Sequence, residues 1–255
     1  MNERGRLMIV GLGPGASGTL TPQAGAAIRG ADVVIGYSGY FTWVADLVAG
    51  KECVALPLTQ EAERARLAVE RAASGESVCV ISSGDAGIYG MASLVFETLE
   101  AGGQGIGPEV VVVPGISAVN ACASLLGAPL AHDFAVISLS DLLTPWETIE
   151  LRLLAAAAAD FVVALFNPRS ERRPWQFPLA CDLLLRHRSA ETPAGLVRNA
   201  YRPGQSVVVT TLGHLADHPV DMMTTAIVGN SQTRELGGRV VTPRGYRVDP
   251  GGTVS

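Results

Sequence analysis

Leu7-Met8-Ile9-Val10-Gly11-Leu12-Gly13-Pro14-Gly15 is the stretch on which the reading of this chain turns. The apolar run Leu7–Val10 predicts a strand. The glycines behind it predict a tight turn. Gly13, Gly15 and Gly18 formally spell the fingerprint of a dinucleotide-binding loop. Pro14 speaks against that reading, because it removes a backbone N–H from the turn that would cradle a pyrophosphate. The next helix starts only at Thr21-Pro22, a capping residue followed by proline at the first helical position. No acidic residue closes a second strand, since Asp32 precedes Val33. A purely structural turn, and a loop that lets another molecule approach the backbone, are the other two readings.

Outward from this stretch, strands are predicted at Val33–Ile35, Val54–Leu56, Val78–Ile81 and Val110–Val113. Helical patterns start at Thr21-Pro22 and cover Glu61–Ala73, Ala92–Ala101 and Ala118–Leu126. Such alternation predicts an α/β fold with a mostly parallel N-terminal sheet and helices on both of its faces. Gly127-Ala128-Pro129-Leu130 interrupts the rhythm and marks the expected boundary. Beyond it, strands are predicted at Phe134–Leu139, Phe161–Leu165, Ala194–Val197, Val207–Thr211 and Thr224–Val228, with helices near Trp146–Ala158 and Phe177–Arg188. Little helix separates the last two strands, which predicts a mixed C-terminal sheet. The expectation is two α/β domains, 1–128 and 129–249, a cleft between them, and a disordered tail over 250–255.

The 255 residues are 48% apolar, ample for such cores, and a net charge of -5 argues against general nucleic-acid binding. A local arginine cluster for an anionic ligand stays compatible with it. Cys53, Cys79, Cys122 and Cys181 form no CxxC pair, and the apolar runs around Cys79 and Cys122 predict buried free thiols. Unpaired cysteines fit a cytoplasmic protein. Arg4 and Arg6 before the first strand resemble a signal peptide only superficially, since Gly11–Gly15 ends the apolar stretch. No apolar segment is long enough to span a bilayer, so no membrane partner is expected.

In a parallel sheet, ligands bind outside the carboxyl ends of the strands, so the loops there carry the weight. Ser82-Ser83-Gly84-Asp85-Ala86-Gly87-Ile88-Tyr89-Gly90 follows the fourth strand. Its carboxylate can hold a ribose hydroxyl or an ammonium group, or bond only its own loop as an Asx turn. Pro114-Gly115-Ile116-Ser117-Ala118 follows the fifth strand, with Ser117 placed to cap a helix. It lacks the second glycine of a nucleophile elbow. His214 and His218 stand four apart, but in a loop-like segment with no third ligand, so no metal site is expected.

Gly11–Gly15, Gly84-Asp85 and Pro114–Ala118, in this order, resemble the loops of the tetrapyrrole (corrin/porphyrin) methylase family. Ala86 departs from the commoner Gly-Asp-Pro of that family. Phe134–Ser140, Asp141–Glu147, Phe166-Asn167-Pro168-Arg169-Ser170, Val197–Pro203 and Thr224–Thr233 are similar to its precorrin-3B C(17)-methyltransferase branch, and the likeness runs from Leu7 to Arg247.

The resemblance implies methylation of precorrin-3B at ring carbon 17, with ring contraction to precorrin-4, in cobalamin biosynthesis. It implies S-adenosyl-L-methionine as donor, S-adenosyl-L-homocysteine as product, and a homodimer with the donor in the interdomain cleft. Carried over residue by residue, the donor site comprises Pro14, Gly84, Asp85, Ala86, Ile88, Ser117, Ala118, Phe166, Asn167, Ala200, Thr224, Thr225 and Ala226. The tetrapyrrole carries many carboxylates, for which arginine's planar fork is suited. Arg169, Arg172, Arg173, Arg198 and Arg202, with Gly13 and Pro14, are the substrate candidates. Asp85, Asp141, Asn167 and His214 are the candidates for acid–base help during contraction. Alternative readings are a methyltransferase for another precorrin or cobalt-precorrin, a nicotinamide-dependent oxidoreductase, and a non-catalytic tetrapyrrole-binding module.

Overall fold

The structure is a computed structural model and describes residues 5–103 and 107–246. Arg4 and the tail predicted over 250–255 lie outside these residues. The chain separates into two compact units, Met1–Ala118 and Val119–Ser255.

The first unit holds β1 (Arg6–Gly11), α1 (Pro22–Gly30), β2 (Val33–Tyr37), α2 (Ala45–Val48), β3 (Glu52–Leu56), α3 (Glu61–Ala73), β4 (Ser77–Ser82), α4 (Ala92–Ala101) and β5 (Glu109–Val113). Its five strands form one sheet in the order β3-β2-β4-β1-β5, every pair parallel. Successive side chains of a strand face opposite ways. Leu7 and Ile9 join Ala65, Ala68 and Val95 of α3 and α4, whereas Met8 and Val10 join Ala24 and Ile28 of α1. Both faces are covered, which is why β1 reads as an unbroken apolar run. Thr21 Oγ1 accepts the Ala24 N–H at 3.1 Å, with Pro22 opening α1 as predicted.

The division between units falls after Ala118, the first residue of α5 (Ala118–Leu126), whereas the break in the sequence pattern, at Gly127–Leu130, follows the helix. The reason is packing: Val119, Cys122 and Leu126 share a core with Val162, Ala164, Val197 and Ile227. After β6 (Gly127–Ala128) come β7 (Phe134–Ser138), α6 (Trp146–Ala158), β8 (Val162–Phe166), α7 (Gln176–Leu185), β9 (Pro193–Arg198), β10 (Ser206–Thr211), α8 (Leu212–Leu215) and β11 (Thr224–Val228). The sheet order is β10-β9-β11-β8-β7, with β7 and β8 parallel and the other pairs antiparallel. This is the mixed sheet the sequence predicts. A small sheet of β6 with β12 (Arg234–Glu235) and β13 (Val240–Val241) was not foreseen. Its strands are two residues long, too short for any period to show.

Arg188, 8% exposed, bolts three segments together. It donates to the Gly229 carbonyl at 2.7 Å, to Ala156 O at 3.4 Å and to Phe161 O. Burial pulls its pKa below the ordinary value, against the neighbouring Asp160 carboxylate, which raises it. Cys79, Cys122 and Cys181 are buried free thiols, as the apolar runs predicted for the first two, and Cys53 is exposed. Burial pushes Cys79 and Cys181 up to about 12 and Cys122 to about 11.

Two outcomes are expected. Arg188→Ala strands buried carbonyls and lowers unfolding free energy by about 3 kcal/mol, read as a lower urea midpoint. A thiol reagent at pH 8 labels Cys53 alone in the native protein and all four cysteines in urea.

Candidate functional site

The first cluster of candidates is built from backbone. Pairing of Gly11 with Ser82 and of Val10 with Val113 brings the carboxyl ends of β1, β4 and β5 side by side. The loops that leave them then lock together. Gly13 N donates to Gly84 O at 3.0 Å, and Gly84 N returns a bond to Gly13 O at 2.8 Å. Asp85 ties in the third loop: Oδ1 accepts from Gly87 N at 2.8 Å and Oδ2 from Gly115 N at 3.1 Å. Gly84 holds φ +64°, in the left-handed region. A Cβ on Gly11 would lie 2.7 Å from both Gly115 N and Gly84 O, and one on Gly115 would overlap the Gly84 carbonyl. Loops this close admit no side chain.

Each Asp85 oxygen accepts one backbone N–H, and a carboxylate oxygen has room for a second donor. The Asx turn and the ligand role are therefore compatible, and the carboxylate also reaches a separate loop. Gly87 is exposed, and Ile88 and Tyr89 are 40% and 60% exposed. Spare acceptor capacity beside apolar side chains fits the hydroxyls and the flat base of a nucleoside. Tyr40 bonds Ser83 Oγ at 2.9 Å and stacks edge-on against Tyr37, fixing the start of the loop. Gly13 and Pro14 are buried, and Gly13 holds the loop through its two backbone bonds to Gly84. Ser117 and Ala86 are buried too, and Ala118 is half-buried.

The second unit gathers most of its candidates at one edge of its sheet. Register sets Arg198 opposite Thr224 and Ser206, Ala226 opposite Leu165, and Phe166 opposite Ser138. Asn167, at φ +52°, donates from Nδ2 to Ser138 Oγ at 2.9 Å. An amide does not titrate and this one is engaged, so the predicted acid–base part for Asn167 gives way to a positioning one. Arg173 donates from Nη1 to Asn167 O at 2.8 Å and Leu139 O at 3.3 Å. Arg169 and Arg172 are exposed on the same turn. Asp141 accepts from Gln176 Nε2 at 3.0 Å, a partner that sequence reasoning missed.

Ala200, Thr224, Thr225 and Ala226 are buried, between the end of β9 and the start of β11. Asn199 and Tyr201 flank Ala200 at φ +50° and +59°, and Tyr201 is tied by its hydroxyl to Ser124 at 2.8 Å. Of the five non-glycine residues with positive φ among the described residues, Tyr89, Asn167, Asn199 and Tyr201 lie in these candidate loops. His214 does not join them. Thr211 pairs with Pro193, so the end of β10 and the helix α8 that carries His214 lie at the opposite edge of the sheet. His214 is paired there with Asp217 at 3.2 Å.

The model of the tetrapyrrole (corrin/porphyrin) methylases matches residues 6–216. A cobalt-factor III methyltransferase of Priestia megaterium is 49% identical over 96% of this chain, which spans 46% of that protein's length. A probable cobalt-factor III C(17)-methyltransferase of Salmonella typhimurium is 46% identical, with 94% of this chain and 99% of that protein covered. A precorrin-3B C(17)-methyltransferase of a Sinorhizobium species is 41% identical, covering 95% and 97%. The crystal structure of the methyltransferase CobJ superposes with a TM-score of 0.87 at 40% identity, covering 94% of this chain and 100% of that one.

If the three-loop joint is the platform of the site, disturbing it costs stability and ligand binding together. Gly115→Ala is expected to lower unfolding free energy by about 1–3 kcal/mol. Asp85→Ala, which loses both acceptors, should lower the urea midpoint more than Asp85→Asn, which keeps one carbonyl oxygen.

Proposed function

The chain belongs to the tetrapyrrole methylase family, and from that premise we propose that it transfers a methyl group from S-adenosyl-L-methionine to ring carbon 17 of a precorrin-3B-type macrocycle. In this reading the methylation accompanies ring contraction to a precorrin-4-type product, a step of cobalamin biosynthesis. The observation that carries it is the joint of three loops at the carboxyl ends of an all-parallel sheet, with a half-exposed carboxylate and an exposed isoleucine on its rim. Relatives at 41–49% identity, named as cobalt-factor III and precorrin-3B methyltransferases, support the same chemistry.

When bound, S-adenosylmethionine supplies a methyl group already activated on a sulfonium. What remains for the protein is to align a nucleophilic carbon with it at near-attack distance. Pro14, Gly84, Asp85, Ala86, Ile88, Ser117 and Ala118 are the proposed donor residues of the first unit. Phe166, Asn167, Ala200, Thr224, Thr225 and Ala226 are those proposed in the second. Asp141, held by Gln176, is the proposed group for proton transfer during contraction. Arg169, Arg172, Arg173, Arg198 and Arg202 are the proposed carboxylate contacts. The reading includes a cytoplasmic homodimer, with the free cysteines supporting a reducing compartment.

Calorimetric titration with S-adenosylhomocysteine tests the donor site. Micromolar binding is expected in the wild type. Ile88→Glu should weaken it at least about tenfold with an unchanged melting temperature, because Ile88 is exposed and its loss touches no core. An affinity for NADPH with none for S-adenosylhomocysteine would sink the methyltransferase reading. Turnover with metal-free against cobalt-loaded substrate separates the two substrate classes named among the relatives.

A further inference from the structure

Leu142 and Leu143 are 84% and 93% exposed, the highest values of any large apolar side chain among the described residues. They sit in the loop 139–145, which leaves the carboxyl end of β7. That loop is anchored along its length. Leu139 N donates to Phe166 O at 2.9 Å, and Leu139 O accepts from Arg173 Nη1 at 3.3 Å. Asp141 Oδ2 accepts from Nε2 of the buried Gln176 at 3.0 Å. Trp146, directly after the loop, packs edge-on against Trp175 with ring centroids 4.8 Å apart. A single surface leucine is ordinary, whereas two in succession on an anchored loop are held in water by the fold itself.

The loop 167–175 leaves β8 beside it, because β7 and β8 run parallel. It carries Arg169, Arg172 and Arg173, with Glu171 among them. Among the described residues no carboxylate stands within ion-pair distance of any of the three. Arg198 differs, with Asp221 Oδ2 at 2.7 Å from its Nε. Arg169 and Arg172 are exposed, and Arg173 is half-buried and oriented by the Leu139 and Asn167 carbonyls. Guanidinium groups without a counter-ion and leucines without a cover thus stand on two loops tied to each other. A molecule that satisfies both is apolar over its face and anionic at its rim.

We infer that Leu142 and Leu143 are a specificity-determining contact for the flat face of a carboxylated tetrapyrrole, whose rim carboxylates turn toward the arginines of the neighbouring loop. The inference rests on the proposed methyl acceptor and adds to its arginine contacts a part that no charge supplies. Covering the two leucines with a macrocycle removes apolar surface of both partners from water, a gain that salt does not screen. The arginines supply the salt-sensitive share. The leucines also discriminate against polycarboxylates that lack an extended apolar face, since these leave them in water.

An octacarboxylate porphyrin is titrated by fluorescence into wild type, the double variant Leu142→Ser/Leu143→Ser and the apolar double variant Leu142→Met/Leu143→Met. Leu151→Ser, which removes a 67% exposed leucine from α6, is the control. S-adenosylhomocysteine is titrated in parallel by calorimetry, and sedimentation velocity follows the oligomeric state. The serine pair should weaken porphyrin binding at least about tenfold, with melting temperature, donor affinity and the slope of affinity against salt unmoved. The methionine pair and Leu151→Ser should stay within about threefold of wild type. Equal porphyrin affinity in wild type and the serine pair would overturn the inference, as would a wild type that binds S-adenosylhomocysteine but no porphyrin. Both results leave the methyl-transfer reading standing. A wild-type dimer that the serine pair turns into a monomer would assign the leucines to a second copy and likewise overturn the inference. Porphyrin binding that responds to the leucines, without any S-adenosylhomocysteine binding, would support the apolar contact and overturn the methyl-transfer reading instead.

Discussion

One carboxylate and one pair of peptide groups hold the first unit's working edge together. A parallel sheet leaves the loops at its carboxyl end without mutual hydrogen bonds, since the ladder stops where the strands do. Here the ladder is extended by a short antiparallel bridge between Gly13 and Gly84, and Asp85 reaches from there to Gly115. The bridge requires backbones in van der Waals contact, and that contact requires glycine at Gly11 and Gly115. Asp85 and Ala86 turn inward to the joint and the core, and Gly87, Ile88 and Tyr89 beyond them are left exposed.

The second unit solves the same problem with side chains. Its sheet is mixed, so strand ends and strand starts meet at one edge, and no common loop pattern is available to join them. Asn167 to Ser138, Arg173 to the Leu139 and Asn167 carbonyls, and Asp221 to Arg198 do the joining instead. Arginine serves both structure and chemistry there. At the opposite edge, the two Nη groups of Arg188 donate to three carbonyls.

Much of this is legible in the sequence. Apolar runs such as Val78–Ile81 have one use in a parallel sheet, and breaker-free amphipathic stretches such as Glu61–Ala73 have one as a helix. The motifs after β1, β4 and β5 pointed to one edge because parallel strands all end together. What stayed hidden depends on register. Nothing in Thr211–His214 says that β10 runs back to the far edge, so His214 was grouped with residues it does not meet. Asp221 lies 23 positions from Arg198 and becomes its partner only through the β9–β11 pairing. Its one local signal is the spacing Asp221-Met222-Met223-Thr224, an acidic turn residue with a hydroxyl three positions on.

The glycine contacts of the three-loop joint bear on what such motifs can report. Gly11, Gly84 and Gly115 touch one another rather than face outward, so their demand on the sequence comes from assembly of the loops. Any chain built on this joint needs them, whichever macrocycle it modifies. Substrate preference is then free to drift at exposed residues outside the joint, and two enzymes with the same signature loops can differ in what they accept.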